Sequence, residues 1–81
     1  MSRIVNEPVI VHTVDSVVRD FIWRHRLYRV IAILSSWGEG SKWWEGDPLK
    51  HFIRVLAANN YEGIYELCYM GKKWFLYSIL D

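Results

Sequence analysis

The side chains that could act in catalysis or hold a metal ion are few and widely spaced. The histidines His12, His25 and His51 are scattered along the chain, and no two of them form the i, i+4 pair by which a helix binds zinc. Cys68 lies in "YELCYM", where alternation with aromatic residues is typical of a small buried hydrophobe rather than a nucleophile. A single cysteine also excludes an internal disulfide and a multi-cysteine zinc site.

Two carboxylates and a glycine-rich stretch are the other candidates for chemistry. Glu45 and Asp47 flank Gly46 and have the oxygen ligands for a divalent cation, but carboxylates in such a loop usually face solvent. The stretch "GEGS" lacks the lysine spacing and the following helix of a phosphate-binding loop. We therefore expect a protein that is not an enzyme and that binds no cofactor and no metal.

Two adjacent tryptophans raise a different kind of function. "GSKWWEGDP" places Trp43 and Trp44 among residues that mark a turn or a strand edge. Neighbouring side chains of an extended chain point to opposite faces, so one ring can fill the core while the other lies on the surface. The outer ring could bind a partner, because tryptophan is enriched at interface hot spots. We take Trp43, Trp44 and Trp23 as the candidate interaction residues. The alternative is that both adjacent rings are structural.

A second surface mixes aromatic rings with cations. Such a mixture suits single-stranded nucleic acid, where rings stack on bases and cations follow the phosphates. The candidate residues are Arg24, Arg26, Tyr28 and Arg29, with Lys72 and Lys73 in a second basic turn. The alternative is that both segments are solvated turns.

Composition limits the class of protein. The chain has 81 residues, enough for a single domain over residues 1–81. It is 52% hydrophobic and 16% aromatic, which excludes a disordered segment. A net charge of +1 gives no overall field that attracts nucleic acid. The absence of a signal-peptide pattern, of a long apolar run and of paired cysteines leads us to expect a cytoplasmic protein without a membrane segment.

The elements that must position these residues are predicted to be strands. Short β-branched and aromatic runs alternate with turn residues. Residues 14–22 also fit a helical spacing, but their β-branched content favours a strand. We predict an all-β fold, a small antiparallel meander of five or six strands curled into a compact barrel.

The last of these runs is apolar on both faces. Strict alternation places Phe75, Tyr77 and Ile79 on one face and Trp74, Leu76 and Leu80 on the other. We therefore expect this strand to be covered on both sides or to lie at an interface.

Several segments together resemble a known family. "WWEGDP", "HFIRV", "GIYELCY", "KWFLYSILD" and the upstream "FIWRHRLYRVIAILSSW" resemble a family of small bacterial domains of unknown function that is similar to the C-terminal segment of ImuB. ImuB is the catalytically inactive, Y-family polymerase-like subunit of the bacterial mutasome. The resemblance covers roughly residues 8–81 and implies an accessory module of translesion DNA synthesis without catalytic residues. His25 departs from the family's pattern, because it occupies a turn position where glycine is expected.

These patterns lead to one functional expectation and two alternatives. We expect a non-enzymatic protein-interaction module of the bacterial cytoplasm whose partner is another protein, one of the DNA repair machinery. The first alternative is a module that binds single-stranded nucleic acid. The second is a homodimeric domain with no separate ligand, in which the extra aromatic residues are buried between subunits.

Overall fold

The structure is a computed structural model that describes residues 2–39 and 50–80. Trp43, Trp44, Glu45 and Asp47 lie outside the described residues. The strands are β1 (Ser2–Pro8), β2 (Ile10–Val14), β3 (Val17–Trp23), β4 (Arg26–Glu39), β5 (Lys50–Asn59), β6 (Tyr61–Met70) and β7 (Lys73–Leu80).

The strands form one antiparallel sheet that curls into a half-barrel. Strands β2 to β7 follow one another as a meander, and β1 pairs with β7 at the far edge, which gives the order β1-β7-β6-β5-β4-β3-β2. The all-β meander is confirmed, and so is the strand over Val17–Trp23 in place of a helix. The sheet has seven strands rather than five or six, because the sequence analysis assigned no strand to residues 2–8.

The N-terminal segment reaches both edges of the sheet. β1 lies beside β7, and β2 lies beside β3, with only Val9 between them. The amide of Val9 donates a hydrogen bond to the carbonyl of Trp74 at 3.1 Å. The chain therefore bridges the two ends of the curled sheet in a single residue.

In each of three hairpins, both turn residues have positive φ. The pairs are Asp15-Ser16, Arg24-His25 and Gly71-Lys72, with φ between 52° and 67°. Both central residues of a type I′ turn require positive φ, and this turn matches the twist of the flanking strands. The basic hairpin turn at Arg24-His25 is thus confirmed, with a histidine where glycine would cost less.

The core lies on the concave face of the sheet. Phe21 stacks on Tyr28 with ring centroids 5.1 Å apart and meets the edge of Tyr65 at 5.7 Å. Further core side chains come from β3, β5, β6 and β7: Val18, Trp23, Val55, Ala57, Leu67, Leu76 and Ile79.

A bulge corrects the alternation predicted for the last strand. Leu67 pairs with Leu76 but Glu66 pairs with Ser78, so Tyr77 is an extra residue of β7. A bulge shifts every later side chain by one position. Ile79 therefore lies in the core with Leu76, not on the face of Phe75 as strict alternation predicted.

The opposite face of β5, β6 and β7 is also covered. Trp37 stacks on Phe52 at 5.5 Å, and the ring of Tyr77 meets Phe52 edge-on at 5.3 Å. Cys68 is buried on this face, as the sequence predicted, and burial raises the pKa of its thiol. The two apolar faces of these strands are therefore both covered, one by the core and the other by these side chains.

Candidate functional site

One carboxylate connects the two ends of the sheet. Glu7 follows a bulge in β1 at Asn6, whose φ is 52°. Arg24 donates from Nε to its Oε1 at 3.2 Å and from Nη2 to its Oε2 at 2.7 Å. Trp23 donates from Nε1 to the same Oε1 at 3.0 Å. We call Glu7, Trp23 and Arg24 the seam contact.

The seam contact favours the charged forms of Glu7 and Arg24. Hydrogen bonds from Arg24, and next from Trp23, hold the pKa of Glu7 below its usual value. The same pairing raises the pKa of Arg24. The guanidinium also lies 4.6 Å from the centre of the Trp23 ring, a cation–π distance. These contacts fix the β3–β4 turn against β1.

A pocket lies directly beside the seam contact. It has a volume of about 320 Å³ and is lined by Pro8, Val9, Ile10, Ile22, Arg24 and His25. Four of these lining residues are apolar, and Arg24 and His25 contribute a guanidinium and an imidazole.

The pocket opens onto a row of exposed apolar side chains. Ile10 pairs with Ile22, and Ile22 pairs with Leu27, so the three lie side by side across β2, β3 and β4. Ile10 is 68% exposed and Leu27 is 45% exposed. Asn59 donates from its side chain to the carbonyl of Leu27 at 2.8 Å, which ties this end of β4 to the end of β5. We call Ile10, Ile22 and Leu27 the apolar row.

A polar row borders the apolar row along the same strands. His12 pairs with Asp20 across β2 and β3, with Nδ1 and Oδ2 at 3.3 Å, and Asp20 in turn pairs with Arg29 on β4. Interfaces commonly have an apolar centre and a polar rim. The outer surface of these three strands has that arrangement.

The predicted site residues fall into four groups. Trp23 and Tyr28 are 7% and 8% exposed, so neither ring has a free face for a base or a partner. Arg24 is held by Glu7. The remaining cations are exposed: Arg26, Arg29, Lys72 and Lys73. Trp43 and Trp44 lie outside the described residues.

Ile10, Ile22 and Leu27 of the apolar row are not among the site residues predicted from the sequence. The signal of the row was present in the runs "VIVHTV" and "VVRDFIW", which are apolar at successive positions and so supply both faces of a strand. The isoleucines were not separated from the core residues because the register between strands was not known. Pairing in the structure assigns Val11 and Phe21 to one face and Ile10 and Ile22 to the other.

A buried polar network lies on the covered outer face, away from the pocket. Arg54 donates to Oε2 of Glu66 from Nε at 3.0 Å and from Nη2 at 2.7 Å. Ser78 donates to Oε1 of the same carboxylate. The Arg54 guanidinium also lies 5.5 Å from the centre of the Trp37 ring. Burial of Ser78 and Glu66 makes this a packing network rather than an open reactive site.

The described residues hold neither a cluster of metal ligands nor a membrane-spanning helix. In residues 2–39 and 50–80, no three side chains of His, Cys, Asp or Glu lie together as metal ligands. The same part of the chain holds no helix that is long and apolar enough to cross a membrane.

Comparison with known proteins places the chain in a family. Neither the curated proteins nor the solved structures contain a match to this sequence. The family model for a domain of unknown function, DUF6504, matches residues 1–81. The chain therefore belongs to the DUF6504 family.

Proposed function

We propose that this domain is a non-enzymatic protein-interaction module of the bacterial cytoplasm that binds its partner on the apolar row and the adjoining pocket. The observation that carries the proposal is the exposure of Ile10, Ile22 and Leu27 side by side on three paired strands. Leaving three large aliphatic side chains in water forgoes about 25 cal/mol for each Å² that a partner would bury. Contiguous exposed apolar surface with a polar border is typical of a binding site.

The charges around the row indicate the chemistry of the partner. Arg29 lies two residues after Leu27 and therefore on the same face of β4; it is exposed, and within the described ranges no carboxylate forms an ion pair with it. His25 adds an imidazole to the lining of the pocket. A partner segment with aliphatic side chains flanked by Asp or Glu complements this surface.

The sequence resemblance supports a biological setting for this partner. The segments "HFIRV" and "KWFLYSILD", with "WWEGDP", resemble the C-terminal segment of ImuB. We therefore propose a partner that belongs to the machinery of translesion DNA synthesis or DNA repair.

A capture experiment with matched variants tests the apolar row. Tagged wild-type protein, Ile22→Asp and Ile4→Asp are used to capture partners from the native cell. Ile4 is 69% exposed on β1, outside the row, so Ile4→Asp is the control for a new surface charge. We expect Ile22→Asp to bind the captured partner at least about tenfold more weakly, a loss of about 1.4 kcal/mol. Equal binding by both variants, with both folded by circular dichroism, would contradict the proposal.

Single-stranded nucleic acid is the alternative ligand, and the exposed cations support it. The test is binding of a labelled single strand by wild-type protein and by Arg26→Ala combined with Arg29→Ala, over a range of salt concentrations. If both side chains contact phosphates, the logarithmic salt slope should fall by about 0.7 for each contact removed. Unchanged binding in the double variant would show that these arginines do not contact the nucleic acid.

A further inference from the structure

The second half of β4 has an unpaired edge. β3 pairs with β4 only as far as Asp20 opposite Arg29. β5 continues along the other edge of β4 as far as Lys50 opposite Glu39. Among residues 2–39 and 50–80, no strand pairs with the free edge of Ile31–Glu39, and no backbone hydrogen bond from outside the sheet reaches it.

The side chains along this edge leave it open to pairing. No residue from Val30 to Gly38 is charged. Ile31, Ile33 and Leu34 are each between 46% and 54% exposed. Two bulges against β5, at Ile31 and Leu34, are a protective feature that this edge does have. Proteins usually protect free edges with charged residues or proline, because an unprotected edge adds strands from other chains.

The other free edges of the sheet carry such protection. β1 contains Arg3, Glu7 and Pro8. β2 runs only from Ile10 to Val14 and is therefore a short edge. The edge of β4 therefore differs from that of β1 in its uncharged residues 30–38, and from that of β2 in its length.

We propose that two copies of this chain pair antiparallel through the β4 edge, over Ile31–Glu39, to form a two-fold symmetric dimer. In a two-fold interface each residue of a segment meets residues of the same segment. Apart from Glu39 at its end the segment is uncharged, so it can oppose itself with little like-charge repulsion, and each copy supplies the free amides and carbonyls that the other needs. Pairing also makes the exposed aliphatic side chains of the two copies cross-strand neighbours on the faces of the joined sheet. The β4 edge is separate from the apolar row, which lies across a face of β2, β3 and the first half of β4.

The test is the mass of the full chain in solution as a function of concentration. We expect the weight-average mass from sedimentation equilibrium to rise from 9.7 kDa toward twice that value as concentration increases. Ile33→Lys and Leu34→Lys should each raise the dimer dissociation constant at least about tenfold, because lysine on an edge opposes strand addition. Ile4→Lys, on β1, is the control and should leave the constant unchanged.

Amide hydrogen exchange provides the second measurement and tests the fold of the variants. In wild-type protein, amides within Ile31–Glu39 should become more protected as concentration rises, while protection in β6 stays constant. A monomer at every concentration would overturn the proposal, and so would edge amides protected independently of concentration, which would indicate an occupant from the same chain. A dimer that survives both lysine variants but is lost in Ile22→Asp would also overturn it and would place the interface on the apolar row.

Discussion

At the scale of the residue, the network around Glu66 shows how one carboxylate can be held on a covered face of the sheet. Burial disfavours its charged form, and hydrogen bonds from Ser78 and Arg54 together with the charge of Arg54 outweigh that effect. The net result is a pKa of Glu66 below its usual value. The ionised form is therefore more favourable in the folded chain than in the unfolded chain.

The lowered pKa predicts an acid-dependent stability. A carboxyl whose pKa is lower in the folded state stabilises above its unfolded pKa, about 4.3, and this contribution is lost as pH falls through the folded pKa. Glu66→Gln should lower the free energy of unfolding at pH 7 by about 1–3 kcal/mol, because Arg54 loses its charged acceptor. The difference from wild type should shrink below about pH 4.

Urea unfolding at a series of pH values measures both effects. Glu62→Gln is the matched control, since Glu62 is exposed at the start of the same strand. A difference between Glu66→Gln and wild type that is the same at pH 7 and pH 3 would show that the charge of Glu66 is not the stabilising feature.

The seam contact is a residue-scale feature that the sequence could not predict. Arg24 was selected for its charge and its place in a basic turn, and Trp23 for its ring. Their partner, Glu7, lies in a segment that had not been assigned to a strand. Ion pairs between distant segments depend on the curvature of the whole sheet, and local patterns contain no information on that curvature.

At the scale of the element, local patterns predicted most of the fold because turn chemistry and β-branched runs are local. The hairpins at Arg24-His25 and Gly71-Lys72 were predicted from their residues and are present. The bulge at Tyr77 was not predicted, because a bulge depends on the pairing of two strands and leaves no pattern in either one.

The positive φ values in the hairpin turns also predict how a substitution to or from glycine changes the free energy of unfolding. Ser16 has φ of 67° at the second turn position, where a side chain is strained and glycine is not. Ser16→Gly creates Asp-Gly, a favoured type I′ pair, and should raise the free energy of unfolding by about 0.5–1 kcal/mol.

Gly71→Ala is the reciprocal change. Gly71 has φ of 60°, and a Cβ added there would meet no atom within 4 Å, so its cost is conformational and not steric. We expect it to lower the free energy of unfolding by about 1 kcal/mol. The midpoint temperature of thermal unfolding should therefore rise in Ser16→Gly and fall in Gly71→Ala, by about 4–8 °C for each kcal/mol. Shifts of the same sign would contradict the type I′ assignment.

At the scale of the whole molecule, two links join the ends of the curled sheet. One is covalent, through Val9 between β1 and β2, and the other is the seam contact between Glu7 and the β3–β4 turn. Val9 and Arg24, one from each link, line the pocket together with Ile10 and Ile22 of the apolar row. The geometry of the proposed binding surface therefore depends on how firmly the two ends are held together.

Loss of the seam contact should loosen β1 before it unfolds the sheet. β1 is a terminal strand that pairs only with β7 among the described strands, so it is expected to open locally at lower free energy than the central β6. Glu7→Gln and Arg24→Ala should each speed amide exchange in β1 and leave exchange in β6 nearly unchanged. Because the two side chains form one ion pair, the double variant should exchange little faster than either single variant. Arg19→Ala, which removes an exposed arginine from β3, is the control. Additive effects of the two changes, or faster exchange in β6 to the same extent as in β1, would show that the seam contact does not act as the link between the ends of the sheet.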